Sequence, residues 1–418
     1  MLEINFIREN PDKIKKACEH KQVKVDIDKL LKLDDKRRDL IKKVEKLYAK
    51  QNKMSPKIAK AKKDEKQKMI DQMRGLKAKL INLEPELREI KKQWKKLMLL
   101  VPNPALDNVP IGKDDSENIV IKQVGEKPEF DFKPKDYMEI AEKLDIIDTK
   151  RASKTSGTRF GFLKGAAVQL EIALLNLAIE KLLPKYFIPV FPPVLLKKKV
   201  FQGLGYWERG KDEVYCLEKD KLCLVGTAEQ SLGAMHMQDV FSEKELPKRY
   251  IGYSHCFRRE AGAYGRDTHG ILRVHQFNKI EMFVFAHPDK AENEHEFLVG
   301  LEEELMQSLK LPYQLVNICT GDLGDPAVKK YDIEVWMPFQ NKYRETHSCS
   351  NCTDFQARRL NIKYRGKDGK LHFVHTLNGT VFSQRPILAI IENYQQKDGS
   401  VRVPKVLQKY MNGLRVIK

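Results

Sequence analysis

The sequence lacks any long apolar run. Nothing in its 418 residues approaches the roughly 20 consecutive apolar residues that cross a bilayer, and the opening stretch MLEINFIRENPDKIKK has no apolar segment of the signal-peptide kind. We therefore expect no membrane partner and a cytoplasmic location. A phosphate-binding P-loop is also missing, which excludes that class of nucleotide-binding enzyme.

Cysteine is scarce as well. Seven cysteines, an odd number, favour a reducing cytoplasm over a disulfide framework. Cys349 and Cys352 form a CxxC pair, but no second CxxC or HxxxH pair stands nearby. Because zinc usually needs two more ligands, buried or surface thiols are the better interpretation.

Acidic residues are too few to balance the basic ones. The 77 Lys and Arg against 58 Asp and Glu give a formal charge of +19, which favours a polyanionic partner, although a generally basic surface is the alternative. Hydrophobic residues (41%) suffice for a sizeable core, and the length predicts two domains.

The first hundred residues show the apolar spacing of a coiled coil. Steps of three and four residues place mostly apolar side chains along one seam of each of two helices. The first seam comprises Leu30, Leu33, Arg37, Leu40, Val44, Leu47, Gln51, Met54 and Ile58. The second comprises Met69, Met73, Leu76, Leu80, Leu83, Leu87, Ile90, Trp94, Leu97 and Val101.

This pattern predicts an antiparallel helical hairpin that turns in the Lys-rich stretch Lys60 to Lys66, with arms of roughly 45 Å. Pro56 and Pro85 should kink or loosen their helices. Between Asp26 and Val101, 24 Lys and Arg stand against 12 Asp and Glu, so this segment carries +12 of the +19. That concentration favours a nucleic-acid-binding arm, with a solvated or dimerising coiled coil as the alternative.

After the linker PNPALDNVPIG the pattern changes to a helical stretch, Ala166 to Leu183, and short β-rich runs. These runs are PVFPPVLL, KRYIGYSHCF, NKIEMFVFA, YQLVNICTG, YDIEVWMPF and PILAIIENY. Helices and strands in irregular succession predict an α+β domain with a mainly antiparallel sheet.

The segment Ser254 to Phe283 carries the densest chemical signal, since it includes Arg258, Arg259, Glu260, Arg266 and Arg273. Strand alternation would place Arg258 and Glu260 on one face, where an arginine fork suits a phosphate and a carboxylate can accept from an adenine amino group. An ion-paired hairpin is the alternative.

Three further segments hold candidate site residues. Glu345, at the edge of a strand, is a possible ligand for magnesium bound to phosphates. Thr227 and Glu229 have strand-alternate spacing, and Asn378, Thr380 and Arg385 precede an apolar run. Either of the last two groups alone also fits an ordinary strand or turn.

Taken together, these segments resemble the bacterial seryl-tRNA synthetases, within the class II aminoacyl-tRNA synthetases. The resemblance runs from MLEINFIRENPD through KTSGTRFGFLKG to ENYQQKDGSVRVPKVLQKYM, with PVFPPVLL, CFRREAG to IEMF and NGTVFSQRPILAIIE as the three class motifs. It implies a tRNA-binding domain over residues 1–105, with the coiled-coil arm, and a catalytic domain over 106–418. It also implies a homodimer that activates L-serine with ATP and Mg2+ and charges tRNA(Ser), with tRNA(Sec) left open as a second acceptor.

The resemblance also implies roles for individual residues. Arg258, Glu345 and Arg385 would be catalytic, and Glu345 with Ser348 would place magnesium through ATP. The ATP-binding residues would be Arg258, Arg259, Glu260, Arg273, Val274, Phe277, Glu345, Thr346, His347, Ser348 and Arg385. The serine-binding residues would be Thr227, Ala228, Glu229, Arg258, Glu281, Asn378 and Thr380.

Two features depart from the family pattern. The stretch from Asn378 to Arg385 is one residue shorter than usual, and His347 stands where a smaller residue is commoner. The competing hypotheses are an amino-acid ligase that loads a carrier protein, a catalytically inactive paralogue that binds RNA or serves a structural role, and a coiled-coil scaffold. All the charged groups that the mechanism needs are present, which favours the enzyme.

Overall fold

The computed structural model describes residues 1–261 and 270–418, with the side chains of 63 and 64 left out. The chain divides into two compact units, Leu2–Pro102 and Asn103–Lys418 with Met1. The helices of the first unit are α1 (Ile4–Glu9), α2 (Pro11–His20), α3 (Ile27–Lys60) and α4 (Lys63–Leu100). Arg266 lies outside the described residues.

Helices α3 and α4 form the predicted antiparallel hairpin. The Asp26 carboxylate caps α3 by accepting from the Lys29 amide at 2.8 Å. Leu40 and Val44 pack against Leu80, Leu87 and Ile90, and every predicted seam residue is buried or half-buried. The early part of α3 faces the late part of α4, because the Arg37 guanidinium lies 4.4 Å from the Trp94 ring centroid. With 34 and 38 residues, the helices extend about 51 and 57 Å.

The turn of the hairpin is shorter than predicted. Only Ala61 and Lys62 separate the helices, so most of the stretch Lys60 to Lys66 belongs to α4. Lysine and glutamate are good helix formers, and their polarity alone does not signal a loop. Pro56 and Pro85 both lie inside helices that continue through them. Neither proline therefore ends its helix, and each removes one backbone donor on a helix that tertiary packing holds.

A buried carboxylate anchors the base of the hairpin. Asp34 is fully buried, and its two oxygens accept from Arg8 at 2.5 Å and from Arg37 at 2.6 Å. Arg8 also pairs with the exposed Asp35. Because the Asp34 carboxylate is out of water, both guanidinium partners are needed to compensate its desolvation.

The helices of the second unit are α5 (Tyr137–Lys143), α6 (Thr149–Ser156), α7 (Ala166–Leu182), α8 (Lys198–Leu204), α9 (Ala228–Met235), α10 (Ala291–Leu309), α11 (Phe355–Leu360), α12 (Arg385–Asn393) and α13 (Lys405–Gln408). Its strands are β1 (Ile119–Val124), β2 (Ile147–Asp148), β3 (Phe162–Leu163), β4 (Phe187–Val190), β5 (Leu195–Lys197), β6 (Cys216–Leu217), β7 (Leu222–Leu224), β8 (Val240–Ser242), β9 (Lys248–Phe257), β10 (Gln276–Ala286), β11 (Tyr313–Asn317), β12 (Lys329–Met337), β13 (Lys342–Asn351), β14 (Lys363–Arg365), β15 (Leu371–Phe373), β16 (His375–Ser383), β17 (Val401–Arg402) and β18 (Val416–Ile417).

An eight-stranded sheet forms the centre of this unit, in the order β1-β11-β12-β13-β16-β10-β9-β4. Its pairs are antiparallel except β4 with β9, which confirms the predicted α+β fold with a mainly antiparallel sheet. Apolar residues of α7, α10 and α12 pack with the sheet in one large core, and residues of α8, α9 and α11 form a second core with it. Helices therefore flank the sheet.

Two local predictions in this unit are wrong. The run PILAIIENY is not a strand but helix α12, with Pro386 at its start and Ile387, Leu388, Ile390 and Ile391 buried. A short apolar run reads alike as a buried strand or a buried helix, and Pro at the first helical turn decides for the helix. Thr227 and Glu229 do not lie on a strand either, because Thr227 caps α9.

The cysteines depart in part from expectation. Cys216 and Cys223, directly opposite each other on β6 and β7, form a disulfide, whereas the other five cysteines are buried thiols. Across 1–261 and 270–418, no group of three or more His, Cys, Asp or Glu is arranged to hold a metal ion. None of the helices described is both long and apolar enough to cross a bilayer.

Replacing Asp34 should loosen the base of the hairpin. The substitution Asp34→Ala leaves Arg8 and Arg37 without their shared partner, and we expect it to lower the free energy of unfolding by about 2 kcal/mol, since both guanidinium groups keep some contact with water. Urea unfolding of the full chain, followed by ellipticity at 222 nm, measures this. Asp39→Ala, which breaks an exposed pair with Lys43, is the control and should cost less than about 0.5 kcal/mol. Equal midpoints for the two variants would contradict the assignment.

Candidate active site

Three adjoining cavities form a cleft in the second unit. Their volumes are about 450, 70 and 640 Å3. Arg258, Glu260 and Arg273 line both of the first two, and Glu345 and Arg385 line both of the last two. The shared residues show that the three spaces are continuous, so the cleft brings together groups that are far apart in the sequence.

Arg258 stands at the centre of the cleft. Strand β9 ends at Phe257, so Arg258 and Glu260 follow the strand rather than alternate along it, yet both line the same cavities. The Arg258 Nε donates to the Gly226 carbonyl at 3.2 Å, and the guanidinium lies 5.1 Å from the Phe277 ring centroid. These contacts fix one edge of the guanidinium, which lines the cleft and suits an anion there.

Glu260 is held by an ion pair. Its carboxylate, which is only 10% exposed, lies 2.7 Å from the Arg273 guanidinium. The backbone of Glu260 has φ +52°, a left-handed conformation that costs a non-glycine residue about 1 kcal/mol or more. The surrounding contacts therefore hold a chain reversal directly after Arg259, and this reversal turns the Glu260 side chain into the cleft.

Glu345 and Arg385 meet at the other end of the cleft. Arg385, the first residue of α12, donates from Nη1 to the Glu345 carbonyl at 2.7 Å and lies 3.3 Å from the Glu345 carboxylate. Burial alone would raise the pKa of Glu345, but the charges of Arg385, Lys330 and Arg258 outweigh it and bring the pKa to about 2. Glu345 is therefore ionised at neutral pH.

A buried polar pocket lies beside Arg258. The Thr227 hydroxyl is 3.3 Å from the Glu281 carboxylate, and Lys279 lies 2.5 Å from Glu281 and 3.3 Å from Thr227. Thr380 is the ladder partner of Glu281, and its hydroxyl accepts from the Ser348 amide at 3.4 Å. The pocket thus holds a hydroxyl, a carboxylate and an ammonium within bonding distance of one another.

Glu229 closes the pocket on the α9 side. It accepts from the Tyr206 hydroxyl at 2.6 Å and from the Gln356 amide at 3.0 Å, and Gln356 in turn accepts from Thr376 at 2.7 Å. Burial and then the charge of Glu281 raise the pKa of Glu229, while the two donors lower it in part. Burial, followed by the charge of Glu229, raises the pKa of Tyr206 well above its usual range.

Sequence reasoning missed Lys279, Tyr206 and Gln356. Lys279 had a usable signal, because residues two apart on a strand share a face and Lys279 precedes Glu281 by two. Tyr206 and Gln356 reach Glu229 from α8's end and from α11 respectively. No local pattern points to such remote partners.

The structure separates the predicted site residues into two groups. Those that line the cleft are Thr227, Arg258, Glu260, Arg273, Val274, Phe277, Glu345, Thr346, Ser348, Thr380 and Arg385. Glu229 and Glu281 contact this lining through the bonds given above.

Four predicted residues do not line the cleft. Arg259 lies 5.5 Å from the Tyr215 ring centroid, and Ala228 is buried in the first turn of α9. Asn378 is buried beside the Cys352 sulfur. His347 is fully buried, because β13 turns its side chain to the inner face of the strand and not toward the cavity. A direct ligand contact from the His347 side chain is therefore not supported by the geometry.

The chain matches two known families. The seryl-tRNA synthetase N-terminal domain matches residues 1–105, and the tRNA synthetase class II core domain (G, H, P, S and T) matches residues 214–394. The serine–tRNA ligase of Caldicellulosiruptor saccharolyticus is 47% identical over 422 residues, covering 100% of both chains. That of Dictyoglomus thermophilum is 44% identical over 423 residues, covering 100% of this chain and 99% of the relative.

Solved structures agree. The crystal structure of seryl-tRNA synthetase from Pyrococcus horikoshii complexed with ATP superposes with a TM-score of 0.91 at 40% identity, covering 100% of this chain and 99% of that one. The prolyl-tRNA synthetase of Giardia lamblia, with a TM-score of 0.57 at 16% identity, shares the fold over 65% of this chain. The sequence relatives, the structural neighbour at 40% identity and the matched N-terminal domain name one family, and the class II core includes it, as the motifs predicted: the chain belongs to the seryl-tRNA synthetase family.

Proposed function

We propose that the protein activates L-serine with ATP, forming seryl-adenylate and pyrophosphate, and then transfers serine to the 3′-terminal adenosine of tRNA(Ser). The observation that supports this proposal is that a phosphate-binding region and a buried polar pocket lie next to each other in one cleft. Arg258, Glu345 and Arg385 suit a polyphosphate, and the pocket of Thr227, Glu281 and Lys279 suits a small polar amino acid. No observation favours the inactive-paralogue alternative.

Activation needs alignment more than proton transfer. A free serine carboxylate, with a pKa of at most about 3.5, is already ionised at neutral pH, so its attack on the α-phosphorus requires no general base. What the site must supply is neutralisation of charge on the phosphates. Arg258, anchored at the Gly226 carbonyl, would hold the α-phosphate, and Arg385 would hold the γ-phosphate end.

The donor set fits Mg2+ that arrives with ATP. Glu345 is an ionised, solvent-exposed carboxylate at the edge of the cleft, and the Ser348 side chain lines the same cavity. One carboxylate with few protein ligands is the usual arrangement when phosphates and waters complete the coordination shell. When bound there, the ion would neutralise phosphate charge.

The base of ATP has its own candidate contacts. Glu260 would accept from the adenine amino group, and the Phe277 ring would stack on the base beside Val274 and Arg273. Arg273 already pairs with Glu260 at 2.7 Å, so it fixes the orientation in which that carboxylate meets the base.

Serine would be recognised by the buried pocket. Its ammonium calls for carboxylates, and Glu229 and Glu281 lie on two sides of the pocket, the second already paired with Lys279. The hydroxyl of Thr380, beside Glu281, is a candidate partner for the serine hydroxyl. A pocket that hydrogen-bonds this hydroxyl rejects alanine, because its own polar groups would stay unpaired.

The helical hairpin would hold the tRNA. Its excess of basic residues suits phosphate contacts along a long variable arm, read by shape rather than by base sequence, so the anticodon need not be touched. Whether tRNA(Sec) is a second acceptor stays open. We also propose that residues 1–105 form the tRNA-binding domain and that residues 106–418 form the catalytic domain.

We also propose a homodimer and retain the predicted cytoplasmic location. Support for the dimer comes from large apolar side chains left exposed on α7 and around β4: Ile172, Tyr186, Ile188 and Phe191. A cluster of this kind is typical of a protein–protein interface.

Serine-dependent exchange of labelled pyrophosphate into ATP tests the first half-reaction. We expect strong exchange with serine and at least about 10³-fold lower kcat/KM with alanine, with threonine and cysteine assayed in parallel. The rate with alanine should be low because alanine would leave the polar groups of the serine pocket without a hydrogen-bond partner. If the folded protein gives no exchange with any of the four, the proposed reaction is wrong.

Replacing Arg385 should weaken the phosphate end selectively. We expect Arg385→Gln to lower kcat/KM for ATP about 100-fold, since one charge-assisted contact to the transferring group is lost. The matched control is Arg365→Gln, which removes an exposed guanidinium bonded to the Gly369 carbonyl. Exchange kinetics with varied ATP measure both, and equal losses in the two variants would refute the role.

The lysines of the hairpin should govern tRNA binding without affecting activation. Replacing the exposed Lys50, Lys53 and Lys57 by Gln should raise KM for tRNA(Ser) about tenfold or more and flatten its salt dependence, because fewer counterions are released. Serine-dependent exchange should stay unchanged. The same change at the exposed Lys244, Lys367 and Lys370 is the control. An unchanged KM for tRNA in the hairpin variant would exclude phosphate contacts there.

A further inference from the structure

Two neighbouring strands lose their regular pairing at the edge of the cleft. Strands β13 and β16 pair from Cys349 to Asn351 and no further toward the cleft. Against β12, β13 carries one extra residue, Thr346, and against β10, β16 carries one extra residue, Val381. The two β-bulges face each other where the ladder between their strands has ended.

The His347 imidazole joins these two bulges. Its Nε2 lies 2.8 Å from the Val381 carbonyl oxygen and its Nδ1 lies 2.8 Å from the Thr346 hydroxyl. A carbonyl only accepts, so Nε2 carries the proton and donates, and Nδ1 of the neutral ring is an acceptor for the Thr346 hydroxyl, whose proton it shares with the Ile333 carbonyl 3.2 Å away. Burial lowers the pKa of His347 to about 4, which keeps the ring neutral at physiological pH.

Two further hydrogen bonds cross the gap between β13 and β16. The Ser348 amide donates to the Thr380 hydroxyl at 3.4 Å, and Arg385 donates to the Glu345 carbonyl at 2.7 Å. Glu345 directly precedes the bulged Thr346, and Ser348 lies two residues beyond it. Thr380 directly precedes the bulged Val381 within β16, and Arg385 follows that strand. The imidazole is the fully buried member of this series, so its length sets how far apart the two strands stand beneath the phosphate end of the cleft.

The two departures from the family pattern thus meet in space. The larger residue at His347 and the shortened stretch from Asn378 to Arg385 lie on opposite sides of one gap. An ordinary buried histidine would also be hydrogen-bonded, and His295 shows that case: its Nε2 lies 3.1 Å from the Cys349 carbonyl, outside either bulge. What distinguishes His347 is that both of its partners are the bulged residues.

We propose that His347 is a positioning residue for ATP, which sets the separation of Glu345 and Arg385 by joining the bulges at Thr346 and Val381. The inference rests on the proposed function, because it assigns the ATP phosphates to these two residues. His347 would thus affect ATP binding through Glu345 and Arg385, without any direct contact with substrate.

The test compares three variants with the wild type by serine-dependent pyrophosphate exchange, with competent sites counted from the adenylate burst. His347→Leu removes both bonds, and we expect kcat/KM for ATP per competent site to fall about 30- to 100-fold, with KM for serine within about threefold of wild type. His347→Gln, whose amide nitrogen can reach Val381, should recover to within about threefold. His295→Leu removes an equally buried imidazole and should leave KM for ATP unchanged.

A purely structural role predicts a different result. It would lower the number of competent sites and leave both KM values alone, and that result would overturn the inference. If His347→Leu does not fold, His347→Asn replaces it: its shorter amide cannot reach Val381, so KM for ATP should rise above that of His347→Gln. Equal KM values for ATP in the Gln and Asn variants would overturn the inference too. A wild type without serine-dependent exchange would instead overturn the proposed function, and the inference with it.

Discussion

The neutralisation of carboxylates that lie out of water shapes the cleft more than any other constraint. Glu260 is paired with Arg273 and Glu281 with Lys279, and the more exposed Glu345 is paired with Arg385 at the edge of the cleft. Glu229 has donors instead of a cation, and its pKa is raised by burial first. The Lys279–Glu281 pair lies within β10, the Glu260–Arg273 pair joins two residues outside the strands, and the Glu345–Arg385 pair joins β13 to α12. Loss of either partner of a buried pair would leave an uncompensated charge.

A second buried acid lies behind the pocket. Glu302 on α10 is fully buried beside Gly379, and its two oxygens are poorly satisfied, with the Thr380 amide as the backbone group that acts on them. Burial first, and then the charges of Glu281 and Asp332, raise its pKa well above the usual range. The raised pKa favours the uncharged form of the acid, which reduces the negative charge that Lys279 has to balance.

Much of this arrangement follows from local sequence, and the rest depends on distant residues. The hairpin was predictable because its apolar steps persist over many turns. Arg258, Glu345 and Arg385 were predictable as site residues because each is a charged group next to an apolar run. The end of β9 at Phe257 and the helical state of PILAIIENY were not predictable, since short apolar runs fit either structure. The bulges at Thr346 and Val381 appear only when the registers of three strand pairs are known.

The pairing of Glu345 with Arg385 has a consequence for how a polyphosphate enters. If phosphate oxygens take Arg385 alone, Glu345 loses the cation that does most to lower its pKa. Two anions would then face each other at the same edge of the cleft, which is unfavourable at short range. A divalent cation between them restores the balance, because the carboxylate exchanges one positive partner for another. In the proposed mechanism, nucleotide and metal would therefore replace the ion pair of the free protein together, and the spacing held by His347 would decide whether both replacements fit.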